Sequence, residues 1–345
     1  MRSALEAEVT RIVLDAMGSD DHPAPEIDAA RAAVERWNDP LILSGPRARL
    51  EPLLAPDGAR NRIILADAPE VIQMADKGAT AARGKAENSM AVGMELIHSG
   101  QAEAFVTAGN TGGAMATALL RLGRMRGVRR PALAPTFPVA GGRTVVLDIG
   151  ANVYCKPEYL VQFAVMGSVY VQVVLNVPSP RVGLLTNGEE AGKGNELIHA
   201  TYPLLEASGL NFIGSVEPKE IYAGRADVAV TDGFTGNVFL KTSESVARFL
   251  VDTLSKEITA GPITAAGGVL ARPAFRRVSR ILDPAEYGAA PLLGVNGLVF
   301  IGHGRSDGRA LVNAIAVARQ AAEAGLLDAL RRALEPFLTR EASES

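Results

Sequence analysis

Cysteine is almost absent from the chain. The single Cys155 excludes a disulfide framework and any multi-cysteine metal site, and the four histidines, His22, His98, His199 and His303, show no metal-ligand spacing. No metal or other cofactor is expected, and a reducing cytosolic setting fits. Lysine is scarce as well, with seven among 35 basic residues, so arginine serves nearly everywhere a solvated cation would do. Aromatic residues make up only 5%, against 35 glycines and 20 prolines, which favours backbone-lined turns over aromatic cages. A net charge of −3 over 345 residues leaves no overall basic field for nucleic acid.

One stretch, Tyr159 to Pro180, carries no charge over 22 positions. It contains Gln162, Gln172 and Asn176 and follows Lys156-Pro157-Glu158, a helix-start signal. It therefore reads as a buried helix running into a strand and not as a membrane span. The first residues, MRSALEAEVT, have neither an apolar core nor a cleavage signature and read as a loose extension over 1–10.

Short β-branched runs alternate with helical stretches from end to end. RIVLDAM, LILSG, NRIILADA, EAFVTA, RTVVLDIG, RVGLLTN, ADVAVTDG and GLVFIGHG read as strands, beginning at Arg11, Leu41, Asn61, Glu103, Arg143, Arg181, Ala226 and Gly297. PEIDAARAAVERW and GMELIHS carry helical spacing between them. The alternation predicts an α/β protein with a largely parallel sheet covered on both faces. No repeat or linker forces a cut, so a single domain over 11–338 is expected, with a helical excursion at 253–285.

Five apolar runs end in Gly-rich turns: DAMGSD, TAGNTGG, LDIGAN, TNGEEAGKGNE and TDGFTGN. In open parallel sheets ligands bind at the carboxyl ends of strands, where glycine lets backbone N–H groups approach an anion and the next helix N-terminus favours it. One site assembled from several turns follows. Lys156, Lys193 and Lys241, three of the seven lysines, stand directly after such turns, either as surface charge or as point contacts to an anion.

These residues carry a resemblance. Over Arg11 to about Leu338 the chain resembles the bacterial phosphate acyltransferases of the PlsX family, through LDAMGSD, AGNTGGAMATALLRLGRMRGVRRPALAP, VVLDIGANVYCKPEYLVQFAVMGSVY, RVGLLTNGEEAGKGNEL, NFIGSVEPKEI, ADVAVTDGFTGNVFLKTSE and YGAAPLLGVNGLVFIGHGRS. The resemblance implies transfer of a fatty acyl group from acyl–acyl carrier protein to inorganic phosphate, at the start of phospholipid synthesis. It also implies a Rossmann-like three-layer α/β/α sandwich, akin to phosphotransacetylases and isocitrate-type dehydrogenases, a homodimer, and peripheral association with the cytoplasmic membrane. Ser19, Gly113 and Ala289 depart from the family's usual Gly, Ala and Gly.

For such chemistry Lys193, Asn195 and Asn237 are the expected donors to phosphate and carbonyl oxygen. Asn110, Thr111, Gly112 and Asn152 are expected to add amides, and Gly18, Gly188, Gly194 and Gly236 to admit backbone to the anion, with Lys156 and Lys241 as further cations. Asp15 belongs to the phosphate-binding set, yet Asp15, Asp148 and Asp232 each end a strand and read as organisers of their turns. His303 could orient phosphate or protonate the leaving sulfur, or be a structural histidine. No G-x-S-x-G elbow and no serine triad is present, and no covalent acyl-enzyme is expected.

Two further stretches have two readings each. RLGRMRGVRR at 121–130 is a solvated helix end or a docking patch for the acidic carrier protein. In the excursion, Phe275, Val278 and Ile281 share a helical face away from Arg276, Arg277 and Arg280. That face packs on the protein itself or contacts a membrane, and the resemblance favours the membrane. The rival function is a phosphotransacetylase-like enzyme using acyl-CoA.

Overall fold

Alternating apolar strands and amphipathic helices fold into two mostly parallel sheets. The computed structural model describes residues 10–54, 60–188 and 193–343, so the expected extension at 1–10 lies, apart from Thr10, outside the described residues. The strands are β1 (Ile12–Asp15), β2 (Leu41–Gly45), β3 (Ile63–Asp67), β4 (Ala104–Thr107), β5 (Ala132–Leu133) and β6 (Thr136–Val139). The others are β7 (Gly142–Leu147), β8 (Val182–Leu185), β9 (Phe212–Val216), β10 (Val228–Val230), β11 (Ala290–Leu293) and β12 (Leu298–Ile301). One sheet has the order β3-β2-β1-β4-β12-β11-β5, the other β6-β7-β10-β8-β9.

All eight strands expected from the pattern are present, divided between the two sheets. β5, β6, β9 and β11 are additional, and the antiparallel pairs β11–β12, β11–β5 and β6–β7 lie among them. Adjacent residues of β1 face opposite cores: Ile12 and Leu14 join one apolar cluster and Val13 the other. This is the signature of a sheet covered by helices on both faces. The first cluster runs through both sheets, from Leu14 and Val106 to Leu147 and Val230, bridged by Phe163 and Tyr170.

The uncharged stretch forms helix Pro157–Val174, with proline in its first turn and Glu158 at its positive end. Its Leu160, Phe163, Met166 and Tyr170 are buried, as expected of a core helix. No helix among the described residues is long and apolar enough to cross a membrane.

The excursion begins earlier than the pattern suggested. Helix Gly233–Thr259 starts at a strand-end turn and runs without a break into a hairpin with helix Pro262–Leu282, Gly268 fitting against Ile258. No residue of the second helix is buried. Phe275 and Val278 are exposed on it, and Ile263 and Leu270 more so, at 87% and 84%. Ile281, expected with Phe275 and Val278, is exposed as they are and also lines the central cleft.

Candidate functional site

The carboxyl ends of β4, β7, β8, β10 and β12 surround one cleft of about 2390 Å³ between the sheets. Four helix N-termini reach it, at Thr111, Glu196, Gly233 and Gly308. Such ends present free N–H groups and positive potential to an anion.

The acids at these strand ends face inward. Asp15 is fully buried, one oxygen accepting from Met17 N at 3.0 Å and the other from the Thr107 hydroxyl at 2.7 Å. Asp148 accepts from the amides of Leu133, Ala151 and Asn152. Burial pushes both carboxyls up, while these donors favour the ionised form. Asp232 caps its helix through the amides of Phe234 and Thr235. All three organise turns, and Asp15 does so behind the cleft, outside its lining.

The asparagines divide into two kinds. Asn110 accepts from Gly113 N and donates to the carbonyls of Gln73, Met74 and Asp76, and Asn152 donates to Pro131 O and Asp148 Oδ2. Neither side chain lines the cleft, which corrects the expectation that their amides face a ligand. The Asn195 side chain uses only its oxygen, as the cap accepting from Ile198 N, and the Asn237 side chain has no hydrogen-bond partner among the described residues. Both are exposed and line the cleft. Thr111 and Gly112 also line it, at the open end of their helix.

Lys193 is exposed next to Gly194 and Asn195, with no ion-pair partner among the described residues. Lys241 lines the cleft but shares its ammonium with Glu244 at 3.3 Å. Lys156 is exposed before helix Pro157–Val174 and lies outside the lining, so it is no cation of this cleft. His303 is exposed on the cleft, its Nδ1 accepting from Arg305 N at 3.2 Å, which leaves Nε2 to face outward chemistry. Arg305 and Arg248 also line the cleft and were not expected, although GHGRS contains the first of them.

The glycines split similarly. Gly194, at φ +105°, turns the chain before the Asn195 cap, and Gly236 lies against the Asp148 carbonyl where no Cβ could fit. Gly18 packs on the amides of Ala108 and Gly109, and Gly188 is buried in a turn closed by Thr186. Gly18, Gly188 and Gly236 build turns and do not line the cleft. The rest of the TNGEEAGKGNE turn, 189–192, lies outside the described residues.

In RLGRMRGVRR, the Arg121 guanidinium donates to Ala86 O and that of Arg124 to Arg129 O, each at 2.6 Å. Two of the five arginines thus tie down local backbone. Among the described residues no group of His, Cys, Asp and Glu could hold a metal ion. Burial pushes the Cys155 thiol up to about 11, away from nucleophile chemistry.

Fold and cleft define a class: α/β proteins of two mostly parallel sheets with the ligand cleft among their strand ends. Solved structures of the same fold include a phosphotransacetylase from Streptococcus pyogenes (TM-score 0.62, 15% identity, covering 92% of this chain and 95% of that one). Another is the EutD phosphotransacetylase from Staphylococcus aureus (TM-score 0.58, 16% identity, covering 93% and 96%). Among curated relatives, the phosphate acyltransferase of Acidobacterium capsulatum is 48% identical over 320 residues, 92% of this chain and 95% of that protein. That of Desulfitobacterium hafniense is 43% identical over 328 residues, 95% and 98%. The family model described as fatty acid synthesis protein matches residues 10–328, and the chain belongs to that family.

Proposed function

We propose that the protein is a phosphate acyltransferase that moves a fatty acyl group from acyl–acyl carrier protein to inorganic phosphate. The observation that supports it is the sorting of polar groups: carboxylates are consumed in turns, while Asn195, Asn237, His303 and the Thr111–Gly112 helix end remain for a ligand in one cleft, with Lys193 exposed beside its Gly194–Asn195 lining though not itself part of it.

Phosphate, largely dianionic near neutral pH, sits against Lys193 and the Thr111–Gly112 amides. One of its oxygens attacks the thioester carbonyl, and the Asn195 and Asn237 amides donate to the oxygen that becomes negative. The tetrahedral intermediate collapses as the C–S bond breaks. A thiol of pKa about 8.5 leaves as thiolate without an obligatory acid, and His303 stands where it can deliver a proton. Positioning and electrostatics carry the reaction, with acyl phosphate and free carrier protein as products.

The rest of the reading, a homodimer in the cytoplasm, follows the resemblance, and the exposed hairpin supports its resting peripherally on the membrane. Helix Pro262–Leu282 has four arginines, no acid and an exposed apolar side at Phe275 and Val278, the make-up of an interfacial helix on anionic lipid. The deciding experiment supplies long-chain acyl–acyl carrier protein or short acyl-CoA with labelled phosphate. Acyl phosphate from the carrier-protein substrate is the expected result, and formation from acyl-CoA alone would give the phosphotransacetylase-like reading.

A further inference from the structure

Glu26, on helix Ala24–Trp37, has no exposed surface and takes no part in the chemistry above. Its Oε1 accepts from Ser19 N at 2.8 Å. Oε2 and the Ser19 hydroxyl are both buried without a hydrogen-bond partner, close enough for that hydroxyl to favour the ionised carboxylate. The next residue, Asp20, donates its N–H to Gly304 O at 2.7 Å, and Gly302 N donates to Thr107 O at 2.7 Å. The turn that carries His303 is therefore held on both sides, and one of the two holds leads back to Ser19 and Glu26.

We propose that Glu26 is a positioning residue of the site, anchoring Ser19 so that the first turn holds the His303 turn in register. The inference rests on the acyl-phosphate reading. Ser19 stands where the family motif usually has glycine, so its hydroxyl is an added partner for the buried carboxylate. Ionised, the carboxylate holds the Ser19 N–H on one oxygen and offers the other to the nearby hydroxyl; protonated, one oxygen becomes a donor and the anchor loosens.

Burial pushes the Glu26 carboxyl up to about 7, which places this change near neutrality. Asp15, at the end of β1, adds to the upward push. His22 lies in the same turn, with Arg49 held to its carbonyl. On helix Gly308–Glu323, packed against the Glu26 helix, Arg309 is engaged by Asp283 and Glu286, and Arg319 by Asp39 and Glu323. None of these offers Glu26 a counter-ion.

The test compares wild type with Glu26→Gln and Ser19→Gly at pH 6 and pH 8, with and without His303→Ala. It reads kcat/KM for phosphate, melting temperature, and amide hydrogen exchange over 19–20 and 302–305. At pH 6 wild type and Glu26→Gln agree within about twofold, and at pH 8 the variant is about tenfold lower, the worth of one charged hydrogen bond. Ser19→Gly, which keeps the N–H, loses a smaller share, and both deficits vanish in the His303→Ala background. At pH 8 Glu26→Gln also speeds exchange in both segments. A ratio equal at the two pH values, a deficit that persists without His303, or unchanged exchange at 302–305 would overturn the inference. A wild type that makes no acyl phosphate yet shows the coupled exchange sinks the acyl-phosphate reading alone.

Discussion

The turns after β4 and β10 look alike in sequence, each a strand end followed by glycine, asparagine and helix-forming residues, yet Asn110 precedes its helix, Asn237 lies within the first turns of its own, and the two do opposite things. Asn110 gives every polar atom to its own fold, clamping 73–76 and capping its helix, whereas Asn237 holds its amide free over the cleft. What separates them is the surrounding chain: three carbonyls accept from the Asn110 amide, and none among the described residues accepts from that of Asn237, which lies beside Gly150. A donor serves a ligand only where the fold leaves it unused.

That contrast is sharpened most by Lys193→Ala, which removes a charged donor left free for the ligand. A fall in acyl-phosphate formation of about 100- to 1000-fold, with an unchanged melting curve, is expected, and turnover like that of wild type would remove Lys193 from the site.

Glu26 supplies the opposite case, a group spent behind the cleft. Its folded pKa of about 7 lies above the ordinary 4.5, so between these values the native state holds the extra proton and stability falls as pH rises. Above about 7 the loss is complete. Glu26→Gln abolishes that slope, as urea titrations across pH 4 to 8 would read.

The two asparagines are separated by paired measurements. Asn110→Ala costs roughly 1 to 3 kcal/mol of stability, from a lost cap and orphaned carbonyls. Asn237→Ala leaves the melting temperature in place and slows turnover, and Asn237→Asp, facing phosphate with an anion, is slower than Asn237→Ala by about tenfold. Equal rates for the two Asn237 variants would make that side chain part of the turn alone.

The smallest stability effect belongs to the hairpin. Phe275→Ser with Val278→Ser removes exposed side chains, so stability moves by less than about 0.5 kcal/mol while co-sedimentation with anionic vesicles falls. A large drop in melting temperature with vesicle binding retained would place this face in an interface or core.

The parallel strands were legible because they are buried apolar runs bounded by turns. Those that escaped break the template: β6 holds Pro138 at a sheet edge, β11 holds Pro291, β9 contains Gly214 at φ +91°, and β5 has two residues. Their division into two sheets left no mark, since no linker separates them. The cluster of turns was legible too, but the consumption of Asn110 and Asn152 depends on carbonyls 34 to 37 and 21 residues away. Nothing in the sequence sets Arg305 apart, since arginine is common in this chain and GHGRS also holds a histidine.

The middle of the first sheet has a consequence for how the chain is made. β12 pairs with β4 along Ala104↔Leu298 to Thr107↔Ile301, so a strand from near the end of the chain sits next to one from its first third. A ribosome releasing this protein exposes β4 with its inner edge unpaired until residue 301 has emerged, and contacts that close so long a loop form slowly. The nascent chain carries an open, apolar strand edge through most of its synthesis, which makes it a natural client for chaperones and a poor candidate for truncation from the C-terminal side.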